Sequence, residues 1–199
     1  MKTLKRRRME NKTDYGIRIK LLKAEVPRVI FRKSGRYIIA QYATSNEARD
    51  NIVTGVTSNI LSKYGWPEDM IGSLKSLPAS YLTGFFLGKK IIERELKTPI
   101  VDIGMIRNVN KGRAFSFIKG LVDAGVGIKC SEESFPSEER IKGKNLKRDF
   151  SIFFGRIKSK IEENTVATSF KGKIEENSSN ERQDVVRKRD RVKGKIKEK

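Results

Sequence analysis

The stretch RVIFRKSGRYIIAQY, Arg28 to Tyr42, carries the strongest secondary-structure pattern in this chain of 199 residues. Two runs of β-branched and aromatic residues flank Ser34-Gly35, which is typical of antiparallel strands joined by a tight turn. Three basic residues cluster at the turn end: Arg32, Lys33 and Arg36. Phe31 and Tyr37 stand beside them. The stretch therefore predicts a β-hairpin with a positively charged tip.

The segments after the hairpin predict a meander covered by a helix. A third strand is expected across Asn51 to Thr57, after a polar loop at Ser45 to Asp50. A helix is expected from about Pro78, because Ser76 is a suitable N-cap and proline is tolerated in the first turn. Gly84 and Gly88 lie within this helix. We interpret the glycine pair as a place of close packing against the sheet or another helix.

Two more elements complete the predicted core. PIVDIGM, Pro99 to Met105, is continuously apolar, which favours a strand buried on both faces. RAFSFIKGLVDAG predicts a helix that ends at Gly125, with its apolar stripe on Phe115, Ile118 and Val122. The element order is α-β-β-β-α-β-α. The fold class is therefore mixed α/β, a three-stranded antiparallel meander extended by a further strand, with helices packed on the sheet.

The flanks of this core differ from it in composition. Before the hairpin, Thr13 and Asp14 are N-cap residues for a short helix that places Tyr15, Ile19 and Leu22 on one stripe and ends at Pro27. After Ser131, Ser137 is expected to begin another helix. Leu146 to Ile161 is amphipathic and requires a surface on which to dock. We divide the chain into a basic arm and helix (1–27), an α/β core (28–130), a helical extension (131–164) and a charged, disordered tail (165–199).

The net charge of +20 is unevenly distributed. Met1 to Arg36 contains 13 Lys/Arg against 3 Asp/Glu, whereas Tyr37 to Asn145 contains 15 against 12. Half of the excess therefore lies in the first 36 residues, which predicts a polyanionic partner for this end of the chain.

Several function classes lack their characteristic residues. There is one cysteine, Cys130, and no histidine, so neither an internal disulfide nor a histidine base or metal ligand is expected, and the setting is predicted to be reducing and cytosolic. No apolar stretch is long enough to span a membrane, and no secretory signal is expected. Asp102 is best interpreted as a residue that orients the loop after its strand. We predict no catalysis, no cofactor and no metal.

Nucleic-acid binding is the function that the basic residues favour. KRRR alone would fit a nonspecific arm or a targeting signal equally well. A basic arm, a basic helix and a basic hairpin tip within 36 residues instead indicate one site, where arginines bind phosphates and Tyr15 and Tyr37 stack on unpaired bases. Two alternatives stay open: a sequence-tolerant architectural or chaperone-like RNA binder, and a nuclease or transferase on an α/β core.

A set of motifs between Leu4 and Gly143 resembles a known family. The motifs are RRRMENKTDY, KLLK, PRVIFRKSGRYIIAQ, KYGW, LPASYLTGFFLGKK, VDIG and DAGVGIKCSEESFPSEERIKG. In this order they are similar to the large-subunit ribosomal protein eighteen family, in its archaeal-type branch, which corresponds to the eukaryotic 5S rRNA-binding protein. The resemblance implies a cytoplasmic ribosomal protein that binds 5S rRNA in the central protuberance, bridges it to the large rRNA, and contacts the universal protein five family.

The resemblance also implies which residues face RNA. In the arm and first helix they are Arg6, Arg7, Arg8, Lys12, Thr13, Asp14, Tyr15 and Arg18. In the hairpin they are Arg28, Arg32, Lys33, Ser34, Arg36 and Tyr37. Asp14 is expected to serve as a cap or as an acceptor for a hydroxyl or base. The predicted set also includes four further basic residues: Lys20, Lys23, Lys111 and Arg113.

Overall fold

The computed structural model describes residues 4–46, 49–146 and 149–164. As far as Ile161 the described residues form one compact unit, and Glu162 to Asn164 belong to a second. The predicted tail, residues 165–199, lies outside the described residues. The predicted extension contributes to the core, because Phe150, Phe154 and Ile157 lie in the same hydrophobic cluster as the sheet residues.

A four-stranded mixed sheet is the centre of the fold. Its strands are β1 (Arg28–Lys33), β2 (Ile38–Asn46), β3 (Arg49–Thr57) and β4 (Ile100–Asp102), in the spatial order β3-β2-β1-β4. β1, β2 and β3 form an antiparallel meander, and β4 pairs in parallel with β1. The predicted fold class is therefore confirmed.

The described residues include six helices. They are α1 (Arg6–Met9), α2 (Tyr15–Lys23), α3 (Leu77–Glu93), α4 (Arg113–Asp123), α5 (Glu138–Lys142) and α6 (residues 151–164). Three 3-10 segments lie between them: Ser58–Tyr64, Glu68–Ser73 and Glu132–Ser134. Ser76 caps α3 as predicted, since its hydroxyl accepts from the Ala79 N–H at 3.5 Å. None of the helices in the described part of the chain is both long and apolar enough to cross a bilayer.

The hairpin turn forms where the sequence predicts it. The Ser34 N–H donates to the Tyr37 carbonyl at 2.8 Å, and the Tyr37 N–H donates to Ser34 Oγ at 2.9 Å. Gly35 and Arg36 therefore occupy the tip. Ser34 closes the turn with its side chain, in addition to any contact that it makes with a ligand.

The prediction of a polar loop at Ser45 to Asp50 is wrong. β2 and β3 continue into it, with Ser45 opposite Asp50 and Asn46 opposite Arg49. Asp50 accepts a hydrogen bond from the Ser45 hydroxyl at 2.8 Å. Polar residues extend these strands because their side chains form hydrogen bonds with each other across the two strands. The periodicity of apolar residues in the sequence does not reveal such pairs.

The fourth strand is shorter and less buried than predicted. It lies at the edge of the sheet and pairs only with β1, and Ile100 is 37% exposed. It ends at Asp102 because the Asp102 carboxylate accepts the Gly104 N–H at 2.8 Å, and Gly104 has φ +65°, which turns the chain away. This confirms that Asp102 orients the following loop.

α3 and α4 cross at very short range. A Cβ at Gly84 would lie 2.2 Å from the Phe117 carbonyl oxygen, and a Cβ at Gly120 would lie 2.2 Å from that of Tyr81. The close-packing interpretation of Gly84 is thus confirmed. The predicted stripe of α4 is confirmed only at Ile118, which is buried, whereas Phe115 and Val122 are half-buried. The apolar side chains that are fully buried are Phe117 and Leu121, and Phe117 packs on Phe31 with ring centroids 4.9 Å apart.

The two outer amphipathic helices present different faces from those expected. In α2 no residue is buried and Ile19 is 52% exposed, so the predicted stripe of this helix does not enter the core. An ion pair of Arg18 with Asp50 connects the helix to the sheet. In α6 the buried residues are Phe154, Ile157 and Ile161, whereas Ile152 points outward. The predicted docking of this segment is confirmed by its burial in the core.

Candidate nucleic-acid interface

The basic arm forms a short helical turn whose side chains are exposed. Arg6, Arg7 and Arg8 all lie in α1. Arg6 Nε lies 2.9 Å from Glu10 Oε1, and Arg7 Nε donates to Thr13 Oγ1 at 3.0 Å. Such exposed contacts contribute little stability, so they orient the guanidinium groups without preventing them from binding another anion.

The junction between arm and α2 is ordered by Asp14. Its carboxylate accepts the N–H groups of Gly16 and Ile17 at 2.8 and 3.2 Å, which is the predicted capping role. Lys5 Nζ lies 4.5 Å from the ring centroid of Tyr15. A cation therefore lies against the half-buried ring of Tyr15, and the stacking predicted for this ring stays a prediction.

A row of alternating charges holds α2 to the outer face of the sheet. We call Arg18, Arg28, Arg32, Asp50 and Asp102 the outer-face ion network. The distances are 3.1 Å from Arg18 to Asp50, 2.6 Å from Arg28 to Asp50 and 3.0 Å from Arg32 to Asp102. Arg28 also lies 3.8 Å from Asp102.

Strand register explains why these residues meet. Arg28 and Arg32 share one face of β1 because side chains two or four residues apart point to the same side of a strand. Asp102 is opposite Ile30 in the parallel pairing, so it stands between the two arginines. Asp50 approaches Arg28 from β3 beside Ser45, whose hydroxyl accepts from Arg28 at 2.8 Å.

Arg28 is the buried member of the predicted RNA-facing set. Its side chain is 2% exposed, and its guanidinium is occupied by Asp50, Ser45 and Asp102. A buried arginine between two carboxylates serves the fold, because burial of a charge is tolerated only when it is paired. Arg32 differs, with 41% of its side chain exposed.

The Asp50 carboxyl has a pKa below its ordinary value. Burial would raise this pKa, but the Ser45 hydroxyl and the Arg28 and Arg18 guanidinium groups together lower it by more. A depressed folded-state pKa stabilises the protein at pH values above the unfolded-state pKa, which is about 3.9 for aspartate. This contribution is lost as the pH falls through the lower folded-state value.

We therefore expect a pH-dependent difference between the wild type and Asp50→Asn. The wild type should have the larger free energy of unfolding from neutral pH to about pH 4, and the difference should shrink below that because protonation removes the same charge. Urea unfolding between pH 3 and 7 measures this. A difference that stays constant through this range would contradict the charge-based account.

A small cleft brings three of the predicted elements together. Its volume is about 100 Å³, and the cations in its lining are Arg7 and Lys12 of the arm, Arg18 of α2 and Arg32 of β1. Two carboxylates, Asp14 and Asp102, also line it. The two ends of the predicted basic region thus meet on one face. Lys20 and Lys23 are exposed in the last turn of α2 and do not line this cleft.

Three other predicted residues lie around a larger cavity. Lys33, Lys111 and Arg113 line a volume of about 560 Å³ together with Arg107 and Arg140. The predicted set lacks these last two residues, because single basic residues in a loop and a short helix carry no periodic signal. At the hairpin tip Arg36 is exposed, Ser34 and Tyr37 are half-buried, and Lys75 donates to the Gly35 carbonyl at 2.9 Å.

Asp50 is the most important residue that sequence reasoning missed. It was expected in a loop, yet it joins Arg18 to Arg28. The only sequence signal is indirect: an arginine at the start of a buried strand needs an acidic partner. Which acid it finds depends on the pairing of β2 with β3.

Comparison of the sequence with those of known proteins identifies the family. Residues 1–98 match the family model described as ribosomal large subunit proteins 60S L5 and 50S L18. Three curated relatives named large ribosomal subunit protein uL18 are each 38% identical over 141 residues, 71% of this chain. They come from Korarchaeum cryptofilum, Methanoregula boonei and Methanospirillum hungatei, and the match covers 70%, 79% and 78% of their lengths. The chain therefore belongs to the uL18 family and is a structural protein of the large ribosomal subunit.

Proposed function

We propose that this protein binds 5S rRNA through its basic arm, α2 and the hairpin tip, and anchors it in the central protuberance of the cytoplasmic large subunit. The observation that carries the proposal is the convergence of Arg7, Lys12, Arg18 and Arg32 around one cleft. Bridging to the large rRNA and contact with the universal protein five family are part of the same proposal, because the family resemblance implies them.

The chemistry of this face suits RNA backbone recognition. Guanidinium groups bind phosphates with two parallel hydrogen bonds, and several such groups on a fixed surface set the register of the RNA. The outer-face ion network fixes that surface, since Asp50 and Asp102 each hold an arginine at 3.1 Å or less. The exposed members of the predicted set that bear a positive charge then provide phosphate contacts: Arg6, Arg7, Arg8, Lys12, Lys20, Lys23, Lys33, Arg36, Lys111 and Arg113.

The contacts of the Asp102 carboxylate do not favour the alternative of an enzyme on the α/β core. Its two carboxylate oxygens accept from the Gly104 N–H and from Arg32, at 2.8 and 3.0 Å. A carboxylate engaged in this way is a positioning group for β1 and the following loop. The alternative of a sequence-tolerant RNA binder shares the same charges and is separated from the proposal by experiment.

Competition binding tests the proposal directly. At about 200 mM salt, where nonspecific phosphate contacts are strongly weakened, 5S rRNA should displace an unrelated RNA of equal length at much lower concentration. Equal competition by the two RNAs would favour the architectural binder and overturn the 5S rRNA assignment.

Replacing Arg6, Arg7 and Arg8 with alanine should weaken 5S rRNA binding about tenfold and make its salt dependence shallower by about two to three units of log K per log salt. The reason is that each phosphate contact releases a counterion. Filter binding at several salt concentrations measures both quantities. A matched control changes three exposed basic residues elsewhere to alanine: Lys63, Arg156 and Lys160. An equal effect from this control would show that total charge, not the arm, determines binding.

A further inference from the structure

The cavity beside the hairpin combines a basic rim with an apolar floor. Its volume of about 560 Å³ lies within the usual range of small-ligand sites. Five apolar residues contribute to the lining, and we call them the floor: Phe31, Leu77, Ile106, Val109 and Ala114. Phe31 is buried, whereas Val109 is 53% exposed. The rim carries five cations: Lys33, Arg107, Lys111, Arg113 and Arg140. Among the described residues that line the cavity, none is acidic.

In the part of the chain that the structure describes, the five rim cations have no carboxylate partner. Within the described ranges, none of their side chains forms an ion pair or hydrogen bond. All five are exposed at the surface. Like charges gathered around one concave site repel one another, so a bound anion would lower the free energy of this arrangement.

The loop that carries Lys111 is held in an unfavourable conformation. Lys111 has φ +58°, a left-handed backbone that lysine rarely adopts. Its N–H donates to the Ser134 carbonyl at 2.9 Å, and the Gly112 N–H donates to Val109 O at 3.1 Å. Strain that neighbouring contacts maintain is characteristic of binding sites. These contacts hold the backbone of Lys111 where the residue lines the cavity.

α4 begins at the wall of this cavity and adds a further attraction for anions. Gly112 occupies its N-cap position and supplies no side-chain cap. The first-turn N–H groups of an α-helix lack intrahelical partners and carry partial positive charge. Gly112, Arg113 and Ala114 all line the cavity, so this end of the helix faces the same volume as the basic rim.

We propose that this cavity is a pocket for one unstacked nucleotide of ribosomal RNA. The base lies on the apolar floor, and the phosphates on either side of it bind the rim and the start of α4. The source of the nucleotide rests on the proposed function, because Lys33 ends β1 beside the hairpin turn and also lines this cavity. The pocket would thus extend the RNA-binding face beyond backbone contacts to recognition of a single position.

A nucleotide fits this cavity better than an acidic peptide does. A nucleotide within a chain brings two flanking phosphates and one planar base with apolar faces to a single position. An acidic side chain brings one charge and no surface to cover Ile106 and Val109. Guanidinium planes such as those of Arg107 and Arg113 can also stack on a splayed-out base.

The test uses the full chain and adenosine 3′,5′-bisphosphate, which mimics one nucleotide with both of its phosphates. In a titration followed by ¹⁵N–¹H NMR, the amide signals of Lys111, Gly112 and Arg113 should shift. Inorganic pyrophosphate carries comparable charge without a base, and it should bind about tenfold more weakly, corresponding to the loss of one base contact. Equal affinity for pyrophosphate, stronger shifts with a glutamate-rich peptide, or no shift at all would each overturn the proposal.

Two variants make the result specific to the cavity. Val109→Trp fills the volume without changing charge and should weaken bisphosphate binding about tenfold. Ile152→Trp is the matched control, since Ile152 is also exposed, at 63% against 53% for Val109. If Val109→Trp does not fold by circular dichroism, Lys111→Ala replaces it with Lys63→Ala as control. Unchanged binding in the cavity variant would refute the pocket.

The nucleotide pocket and the binding of 5S rRNA can be refuted independently of each other. The bisphosphate titration contains no 5S rRNA, so specific shifts in the cavity stand even if 5S rRNA does not outcompete an unrelated RNA. Conversely, tight and specific binding of 5S rRNA with no bisphosphate shifts would remove the pocket and leave the proposed function intact.

Discussion

Asp50→Asn is expected to lower the free energy of unfolding by about 3 kcal/mol, a large effect for a single exposed-edge residue. The substitution leaves the side chain almost the same size but removes its charge. Arg28, which is 2% exposed, then lies in the sheet with Asp102 at 3.8 Å as its nearest remaining carboxylate. A buried cation deprived of its close partner retains its desolvation cost without the attraction that offset it. Chemical denaturation at pH 7 measures the loss.

A double-mutant cycle identifies Arg28 as the cause. Combining Asp50→Asn with Arg28→Met removes both charges, and we expect the double variant to be about 2 kcal/mol more stable than the sum of the single effects predicts. Glu138→Ala serves as the control for losing an ion pair, because Glu138 is 79% exposed and pairs with Lys142 on the surface. Additive single effects would mean that Asp50 stabilises the fold by another route.

The same substitution should affect RNA binding through α2. Asp50 also holds Arg18 at 3.1 Å, and α2 has no buried residue of its own. Its position on the sheet therefore depends on this polar contact more than on apolar burial. The Asp50→Asn protein, studied below its unfolding transition, should bind 5S rRNA more weakly even though no RNA-facing side chain has changed.

Gly84→Ala is expected to destabilise the protein by about 2–3 kcal/mol and to lower its melting temperature by roughly 5–10 °C. The direction of the change in stability is the informative part of this prediction. In an ordinary helix interior, alanine is more favourable than glycine by about 1 kcal/mol. Here the new methyl group would lie 2.2 Å from the Phe117 carbonyl oxygen, and backbone of a packed helix cannot move aside as a flexible side chain can. α3 and α4 must therefore separate.

Gly72→Ala is the matched control for this effect. Nothing lies within 4 Å of a Cβ at Gly72, so the melting temperature should change by no more than about 1–2 °C. Thermal unfolding followed by circular dichroism compares the two variants. A stable Gly84→Ala protein would show that the crossing of α3 and α4 can relax.

Local sequence patterns were sufficient for much of the fold. The β-branched runs of Arg28 to Tyr42 predict the hairpin, and Asp14 and Ser76 predict the starts of α2 and α3, because a strand, a turn and a cap each depend on a few adjacent residues. Gly84 was likewise correctly interpreted, since glycine within an apolar helix has few roles other than close approach.

Other features depend on residues that are distant in sequence. In the sequence, Arg28 cannot be distinguished from the other basic residues of the hairpin. In the structure, β3 and β4 bring Asp50 and Asp102 close to its side chain. The buried faces of α4 and α6 likewise follow from what each helix packs against, and a window of local hydrophobicity cannot identify that surface.

By itself the sequence determined that the first 36 residues are strongly basic, that a hairpin follows them, and that motifs between Leu4 and Gly143 are those of one ribosomal family. Tertiary structure alone decided which cations stay available to a ligand. In the folded protein Arg28 is buried, whereas Arg32 is partly exposed. Lys33, Lys111 and Arg113 lie around one cavity. The physical reason is that charge is a property of single residues, whereas burial and pairing arise only when strands in register bring distant residues within a few ångströms.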